Sequence, residues 1–113
     1  MKKIFFIGAL VFLASLHFGI SAYAVTETEN QNVRRLVPSW SGMGFLIEGT
    51  VTNLCGSKLY EMYPRSDGSM HVLMPENYVN ALMAMHTGKT VAVIYDGCNG
   101  SRAKIISIHA HAY

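Results

Sequence analysis

Two histidines near the end of the chain have a type and spacing that could bind a metal ion. His109 and His111 are separated by one residue in the stretch IHAHAY. On a β-strand both imidazoles would therefore point to the same side. Neutral imidazole is a common ligand for zinc and copper, and the thioethers of Met70 and Met74 could add soft donors. Two histidines do not fill a coordination shell, so the alternative is a solvated strand end without metal.

Aromatic side chains are the second candidate for binding chemistry, because they can stack on sugar rings or on nucleobases. The candidates are Trp40, Tyr60, Tyr63, Tyr78 and Tyr95. The tyrosines fall in periodic segments, where most aromatic residues belong to a core. Trp40, the only tryptophan, lies among Ser and Gly outside those segments, so we expect it to be exposed. Trp40 and the adjacent Ser41 are therefore the candidate ligand-binding residues.

The sequence contains no familiar catalytic motif. It has no G-x-S-x-G nucleophile elbow, no H-E-x-x-H zinc motif, no paired-carboxylate pattern and no nucleotide-binding loop. A chain of this length also leaves little room for a buried cleft. We therefore expect a non-catalytic protein that uses no cofactor.

The N-terminus has the pattern of a secretory signal peptide. Lys2 and Lys3 precede an apolar run from Ile4 to Ile20, and Ala22-Tyr23-Ala24 has the small residues that a signal peptidase needs. We predict that residues 1–24 are a signal peptide. Cleavage after Ala24 would give a periplasmic or secreted protein without a membrane span, whereas the alternative is an uncleaved membrane anchor.

The positive charge of the chain belongs to this targeting segment. The full sequence has nine Lys and Arg against seven Asp and Glu. Once Lys2 and Lys3 are removed, basic and acidic residues are equal in number. The mature chain then has no basic field that would attract nucleic acid, so we expect other partners.

The two cysteines, Cys55 and Cys98, are predicted to form a disulfide. In an exported protein two cysteines most simply pair with each other. Metal or redox pairs usually occur close together as C-x-x-C, and this pair does not. In the chain-entropy model the bond would stabilise the domain by about 4 kcal/mol, less any strain.

Hydrophobic periodicity predicts the elements that position these residues. Residues 25–43 are polar or rich in Pro, Ser and Gly, and we predict a flexible N-terminal segment that ends in an irregular entry or a short edge strand. Residues 44–113 form the predicted domain. Its five predicted strands are Gly44–Leu54, Lys58–Tyr63, Met70–Met74, Thr90–Cys98 and Ser101–His109, and its helix is Pro75–Thr87.

The last two strands read as a hairpin with an Asn99-Gly100 turn. This turn would place Cys98 opposite Ser101 and Val93 opposite Ile106. Asp96-Gly97 is a rival turn that would shift the register.

The helix has a wide apolar arc and a glycine, Gly88, directly after its end. Its predicted core stripe consists of Tyr78, Leu82 and Met85, with Ala81 beside it. Met83 and His86 extend the arc. A monomer would leave this arc exposed, so it favours an interface between copies of the chain.

The order of three strands, one helix and two strands predicts a mainly β fold. A helix between the third and fourth strands of a five-stranded barrel is the order of the OB-fold. We therefore predict an OB-fold-like domain, and an α+β sheet with one packed helix is the alternative.

The stretch ALMAMHTGKTVAVIYDGC resembles the helix-to-strand segment of the B subunits of subtilase-cytotoxin-like and pertussis-like bacterial toxins. The residues that carry the resemblance are Thr87-Gly88 at the helix end and Val91, Val93 and Tyr95 in a V-x-[IV]-x-Y strand. The same segment, followed by CNGS and an Ile-rich strand, is also similar to small exported proteins of Gram-negative bacteria.

The toxin resemblance implies an OB-fold, a disulfide and a ring of subunits that binds surface glycans, and such a ring would be a pentamer. The resemblance to small exported proteins implies no known activity. The sequence thus favours a non-catalytic exported binding module, for which the toxin resemblance implies a glycan as ligand. The alternatives are an interaction protein of the periplasm or envelope, and a metal-binding protein that uses His109 and His111.

Overall fold

The computed structural model describes residues 25–110, and the predicted signal peptide, residues 1–24, lies outside them. The fold is mainly β, as predicted: six strands form one mixed sheet, and one helix packs against it. The strands are β1 (Thr26–Glu27), β2 (Arg35–Pro38), β3 (Phe45–Glu48), β4 (Leu59–Met62), β5 (Val91–Asn99) and β6 (Arg102–Ala110). The helix α1 (Met74–Thr87) lies between β4 and β5 in the chain.

The strands are arranged in the order β1-β5-β6-β4-β3-β2. Strands β4 and β6 pair in parallel, and all other neighbours pair antiparallel. The two edge strands, β1 and β2, are consecutive in the chain. Between them, Gln31 makes a further bridge to Val91 of β5. The described residues thus contain six strands where the sequence predicts five.

Within residues 25–43 the predicted short edge strand is present as β2, whereas the residues before it pair with the sheet instead of forming a flexible leader. This segment contains β1 and β2, which pair with β5 and β3. Gln31 is 2% exposed, and its Oε1 accepts hydrogen bonds from the amides of Thr50 and Val51 at 3.0 and 3.1 Å. The polar composition of the segment concealed this order, because backbone pairing and the buried amide of Gln31 hold much of it. Val33 and Leu36 are its apolar contacts with the core.

Strand β3 is shorter than the predicted strand at 44–54, because Gly49 turns the chain against Gln31. A Cβ at Gly49 would lie 1.9 Å from Gln31 Oε1 and 3.4 Å from Tyr60 Cε1. Only glycine fits at this position. The alternation predicted for the first part of the strand is correct, since Phe45 and Ile47 are fully buried.

The prediction of a strand at Met70–Met74 is wrong. Met74 is the first residue of α1, and the residues before it form a turn in which its amide donates to the carbonyl of His71 at 2.9 Å. The His71 ring reinforces the turn, because its Nδ1 accepts from the amide of Leu73 at 3.1 Å. The apolar residues that imitate a strand, Met70 and Val72, are exposed.

Helix α1 is confirmed, with Pro75 in its first turn and Gly88 in the left-handed region at its end, φ 74°. Its buried residues are Met74, Asn77, Ala81 and Ala84. The predicted stripe is therefore wrong at Leu82, which is 40% exposed. Small residues bring the helix close to the sheet, and the larger apolar side chains on its other side remain in solvent.

Two asparagines of α1 bind the backbone of β6. Asn77 Nδ2 donates to the carbonyl of Ile106 at 3.2 Å, and Asn77 Oδ1 accepts from the amide of Ile108 at 3.0 Å. Asn80 Nδ2 donates to the carbonyl of Ile108 at 3.0 Å. The register between β4 and β6 ends at Lys104, so the helix satisfies the edge of β6 beyond that point.

The β5–β6 hairpin turns at Gly100-Ser101, one residue later than predicted. Asn99 pairs with Arg102, and Gly100 has φ 61°. A glycine at the first turn position fits a type II′ turn. The predicted turn would require positive φ at Asn99, and no non-glycine residue among those described has positive φ.

The later turn moves the pairing of the hairpin by two residues. Val93 lies opposite Ile108, where the predicted register places Ile106. The even shift keeps Val93 and Ile108 on one face, and both are buried. At Tyr95 the partner is Ile105, a register change that adds one residue to β6, so the inward side chains of β6 change from Ile108 to Ile105 and Ala103. A second irregularity, between Tyr95 and Cys98, adds one residue to β5.

Candidate functional site

The predicted disulfide is confirmed. Cys55 and Cys98 are bonded, their Cα atoms are 5.7 Å apart, and 43 positions separate them in the chain. Cys55 lies in the connection between β3 and β4, and Cys98 lies in β5 beside its irregular segment. The bond ties this connection to the end of the β5–β6 hairpin. It is compatible with the oxidising compartment of an exported protein.

The outer face of the sheet carries one row of side chains that crosses four strands. The row consists of Val37 in β2, Leu46 in β3, Glu61 in β4 and Lys104 in β6, which are Cα partners in the register. The adjacent inward row passes through Ile47, Tyr60 and Ala103, which are fully buried. The outer row is therefore the solvent side of a well-packed sheet.

A cavity of about 270 Å³ lies over this row, and we call it the tryptophan cavity. Its lining includes Val37, Ser39, Trp40, Leu46, Glu61 and Arg102. Trp40 is fully exposed. Tryptophan side chains are usually largely buried, and a small domain has few large apolar side chains to leave in solvent. The exposed indole of Trp40 is therefore a candidate surface for stacking a ligand.

Hydrogen bonds within the loop at residues 39–44 hold the segment that carries Trp40. The amide of Ser39 donates to the carbonyl of Gly44 at 3.0 Å. The amide of Gly44 in turn donates to Ser39 Oγ at 3.1 Å. Ser41 Oγ accepts from the amide of Met43 at 3.2 Å. Of the two predicted ligand residues, Trp40 lines the cavity, whereas the Ser41 hydroxyl shapes the loop.

An ion pair forms the polar wall of the tryptophan cavity. Arg102 Nη1 lies 2.5 Å from Glu61 Oε1. The carboxylate raises the pKa of Arg102 above its ordinary value through this hydrogen bond and its charge. The guanidinium therefore stays charged. Its remaining N–H groups can donate hydrogen bonds to a ligand, and the oxygens of Glu61 can accept hydrogen bonds from one.

A second cavity, of about 400 Å³, lies beyond this ion pair, and we call it the tyrosine cavity. Its lining consists of Tyr63, Pro64, Ser66, Cys98, Asn99 and Lys104. Asn99 Nδ2 donates to the Tyr63 hydroxyl at 3.0 Å. Burial raises the pKa of Tyr63 above its ordinary value, so the phenol is neutral at physiological pH.

The other predicted aromatic platforms are core residues. Tyr60 and Tyr95 are buried and pack edge to face with ring centroids 5.8 Å apart. Tyr78 packs edge to face on Phe45 at 5.5 Å. Of the five candidate aromatic residues, Trp40 lines the tryptophan cavity and Tyr63 lines the tyrosine cavity.

Only His109 of the two candidate metal-binding histidines lies within the described residues, so the metal site stays a prediction. The side chain of His109 is exposed near the end of β6, and His111 lies outside the described residues. Among residues 25–110 no group of three or more His, Cys, Asp or Glu side chains could hold a metal ion. Met70 and Met74 lie at the start of α1, in the turn that precedes it and at its first residue.

The outward side of α1 presents the exposed apolar side chains Val79, Leu82 and Met83. This is the arc from which the sequence predicts an interface between copies, and the interface stays a prediction.

Within the described part of the chain, no helix is long and apolar enough to cross a membrane.

Sequence reasoning missed Glu61 and Arg102, which lie far apart in the chain and meet through the parallel pairing of β4 and β6. The outward parity of Glu61 beside buried Tyr60 and Met62 was one available signal.

Comparison of the chain with protein-family models, with curated proteins and with solved structures found no match.

Proposed function

We propose that this protein is a non-catalytic exported binding module that holds a cell-surface glycan in the tryptophan cavity. The observation that carries the proposal is the fully exposed indole of Trp40 beside the Glu61–Arg102 ion pair. A sugar ring has an apolar C–H face that packs on an aromatic ring. Its hydroxyls donate to carboxylates and accept from guanidinium groups.

Strand order supports an OB-fold-like arrangement for this module. Counted from β2 to β6, the five strands have the helix between the third and the fourth, and the third pairs in parallel with the fifth. OB-folds bind oligosaccharides on the face of their second and third strands, between the first and fourth connecting loops. The corresponding elements here are β3, β4, the Trp40 loop and the Gly100-Ser101 turn, and the tryptophan cavity lies among them.

The resemblance to toxin B subunits adds the expectation of a pentamer and of a partner A subunit. In this proposal the protein is periplasmic or secreted, which the Cys55–Cys98 bond supports. A gene for an exported A subunit next to the gene for this chain would favour the toxin-like form of the proposal. An isolated gene would favour the interaction protein of the envelope.

Binding to an array of immobilised animal cell-surface glycans tests the proposal. The wild-type protein is expected to bind a defined subset. Trp40→Ala should weaken that binding by about tenfold or more, because burial of a large apolar side chain contributes about 1.5–3 kcal/mol. Leu54→Ala is the matched control, since Leu54 is also an exposed apolar residue but lines neither cavity.

Two results would contradict the proposal. One is an array without signal for folded wild-type protein. The other is equal binding by wild-type protein and Trp40→Ala, which would remove the indole from the site. Circular dichroism of each variant checks that the fold is intact.

A further inference from the structure

The tryptophan cavity and the tyrosine cavity are lined by neighbouring positions along β4 and β6. Glu61 and Arg102 line the former. Tyr63, which lines the latter, is two residues after Glu61 in the chain, so both side chains leave the same face of the sheet. Lys104 stands in the same relation to Arg102 on β6 and is the register partner of Glu61.

The charged groups of one cavity act on the phenol of the other. Glu61 and Arg102 influence the pKa of Tyr63, whose hydroxyl accepts a hydrogen bond from Asn99 at 3.0 Å. Residues two apart on a strand are separated by roughly 7 Å. This spacing is comparable to the length of one sugar unit in an oligosaccharide.

The tyrosine cavity offers a second set of groups that suit a sugar. Lys104 makes no ion pair within residues 25–110, so its ammonium can donate to hydroxyl or carbonyl oxygens. Ser66 adds a hydroxyl, and the Tyr63 ring adds an aromatic surface. Such a mixture of an aromatic surface with a few polar groups is typical of small-molecule sites.

The disulfide keeps this second cavity in shape before any ligand arrives. Cys98 lines the cavity, and its bond to Cys55 holds the end of β5 against the β3–β4 connection. Ser57 Oγ donates to the carbonyl of Ser101 and adds a second tie to the same hairpin end. A site that is already formed loses less conformational entropy when it binds.

We propose that the two cavities are neighbouring subsites of one extended site, and that its ligand is an oligosaccharide of at least two sugar units. The first unit stacks on Trp40 beside the Glu61–Arg102 pair, and the next unit occupies the tyrosine cavity and hydrogen-bonds Lys104. This inference rests on the proposed glycan-binding function and extends it to the length of the ligand.

Affinity as a function of ligand length tests the inference. The probes are the terminal mono-, di- and trisaccharide of the glycan with the strongest array signal, titrated by isothermal calorimetry. Wild-type affinity should rise by about tenfold or more from the mono- to the disaccharide, because a hydrogen bond to a charged group contributes about 1.5–3 kcal/mol.

Variants separate the two subsites. Lys104→Ala should abolish most of this rise and leave monosaccharide affinity within about twofold of wild type, whereas Trp40→Ala should weaken all three probes. Arg34→Ala is the matched control for the lost charge, since Arg34 is exposed and lines neither cavity. It should bind as wild type.

The outcomes distinguish this inference from the proposed function. Equal affinity for all three lengths, or a length dependence that Lys104→Ala does not change, overturns the extended site while glycan binding at Trp40 stands. Wild-type protein that binds no glycan overturns both.

Discussion

The contact between α1 and β6 gives the sharpest test of the fold. Asn77 is 2% exposed, and its side-chain amide bonds both Ile106 and Ile108 on the edge of β6. Asn77→Ala removes both bonds and leaves the backbone groups on that edge without partners. The change introduces no bulk, so the lost hydrogen bonds dominate its effect.

The expected loss follows from these two groups. A buried donor or acceptor left without a partner costs about 1–3 kcal/mol, so two cost about 2–6 kcal/mol. Alanine has a better helix propensity than asparagine and returns up to about 0.7 kcal/mol. We therefore expect Asn77→Ala to lower the free energy of unfolding by about 3 kcal/mol, which corresponds to a fall in Tm of roughly 10–20 °C for a domain of this size.

Urea unfolding, followed by circular dichroism, measures this loss, and Asn80→Ala is the control. Asn80 is half-buried on the same side of α1 and makes one hydrogen bond, to the carbonyl of Ile108. Its substitution should cost about 1 kcal/mol or less. If Asn77→Ala loses no more than Asn80→Ala, the helix is not held on β6 in the way described.

Three further predictions concern other contacts. Gly49→Ala places a Cβ 1.9 Å from Gln31 Oε1 and should lower the free energy of unfolding by about 1–3 kcal/mol; an unchanged urea midpoint would contradict this close approach. Cys55→Ser breaks the bond to Cys98 and should cost up to about 4 kcal/mol under oxidising conditions, where an unaltered Tm would show that the bond does not stabilise the domain. Native mass spectrometry at micromolar concentration should show self-association that Met83→Glu abolishes, and a monomeric wild type would refute the interface on α1.

Local signals predicted the parts of the fold that depend on neighbouring residues. Pro75 and Gly88 mark the ends of α1, and both signals are local. The inward positions of Phe45 and Ile47 follow from alternation alone. The cysteine pair could be assigned because a chain with two cysteines has one intrachain pairing.

The remaining features depend on contacts that no local pattern records. Strands β1 and β2 lie in a polar segment that is held by the buried amide of Gln31 and by pairing with distant strands. The hairpin sequence allows a turn at Asn99-Gly100 or at Gly100-Ser101. The turn at Gly100-Ser101 forms, and it keeps Asn99 in β5, where its side chain bonds Tyr63.

The candidate site was predictable only in part for the same reason. Trp40 stood out because it lies outside every periodic segment. Its neighbours Glu61 and Arg102 are 41 positions apart in the chain and become neighbours only through a parallel strand pair. Periodicity assigns a side chain to a face of the sheet, but it does not reveal which strand lies beside it.

The position of β1 sets an order of events in folding. Thr26 pairs with Tyr95, so the first strand of the described chain cannot dock until the last hairpin is present. The hairpin itself joins residues that are close in the chain and can form early, whereas closing so long a loop is slow. We expect β1 to dock last, after the β5–β6 hairpin has formed. A protein fused before Val25 would then be attached to the edge that assembles last, and it would delay completion of the sheet more than the same fusion after Tyr113.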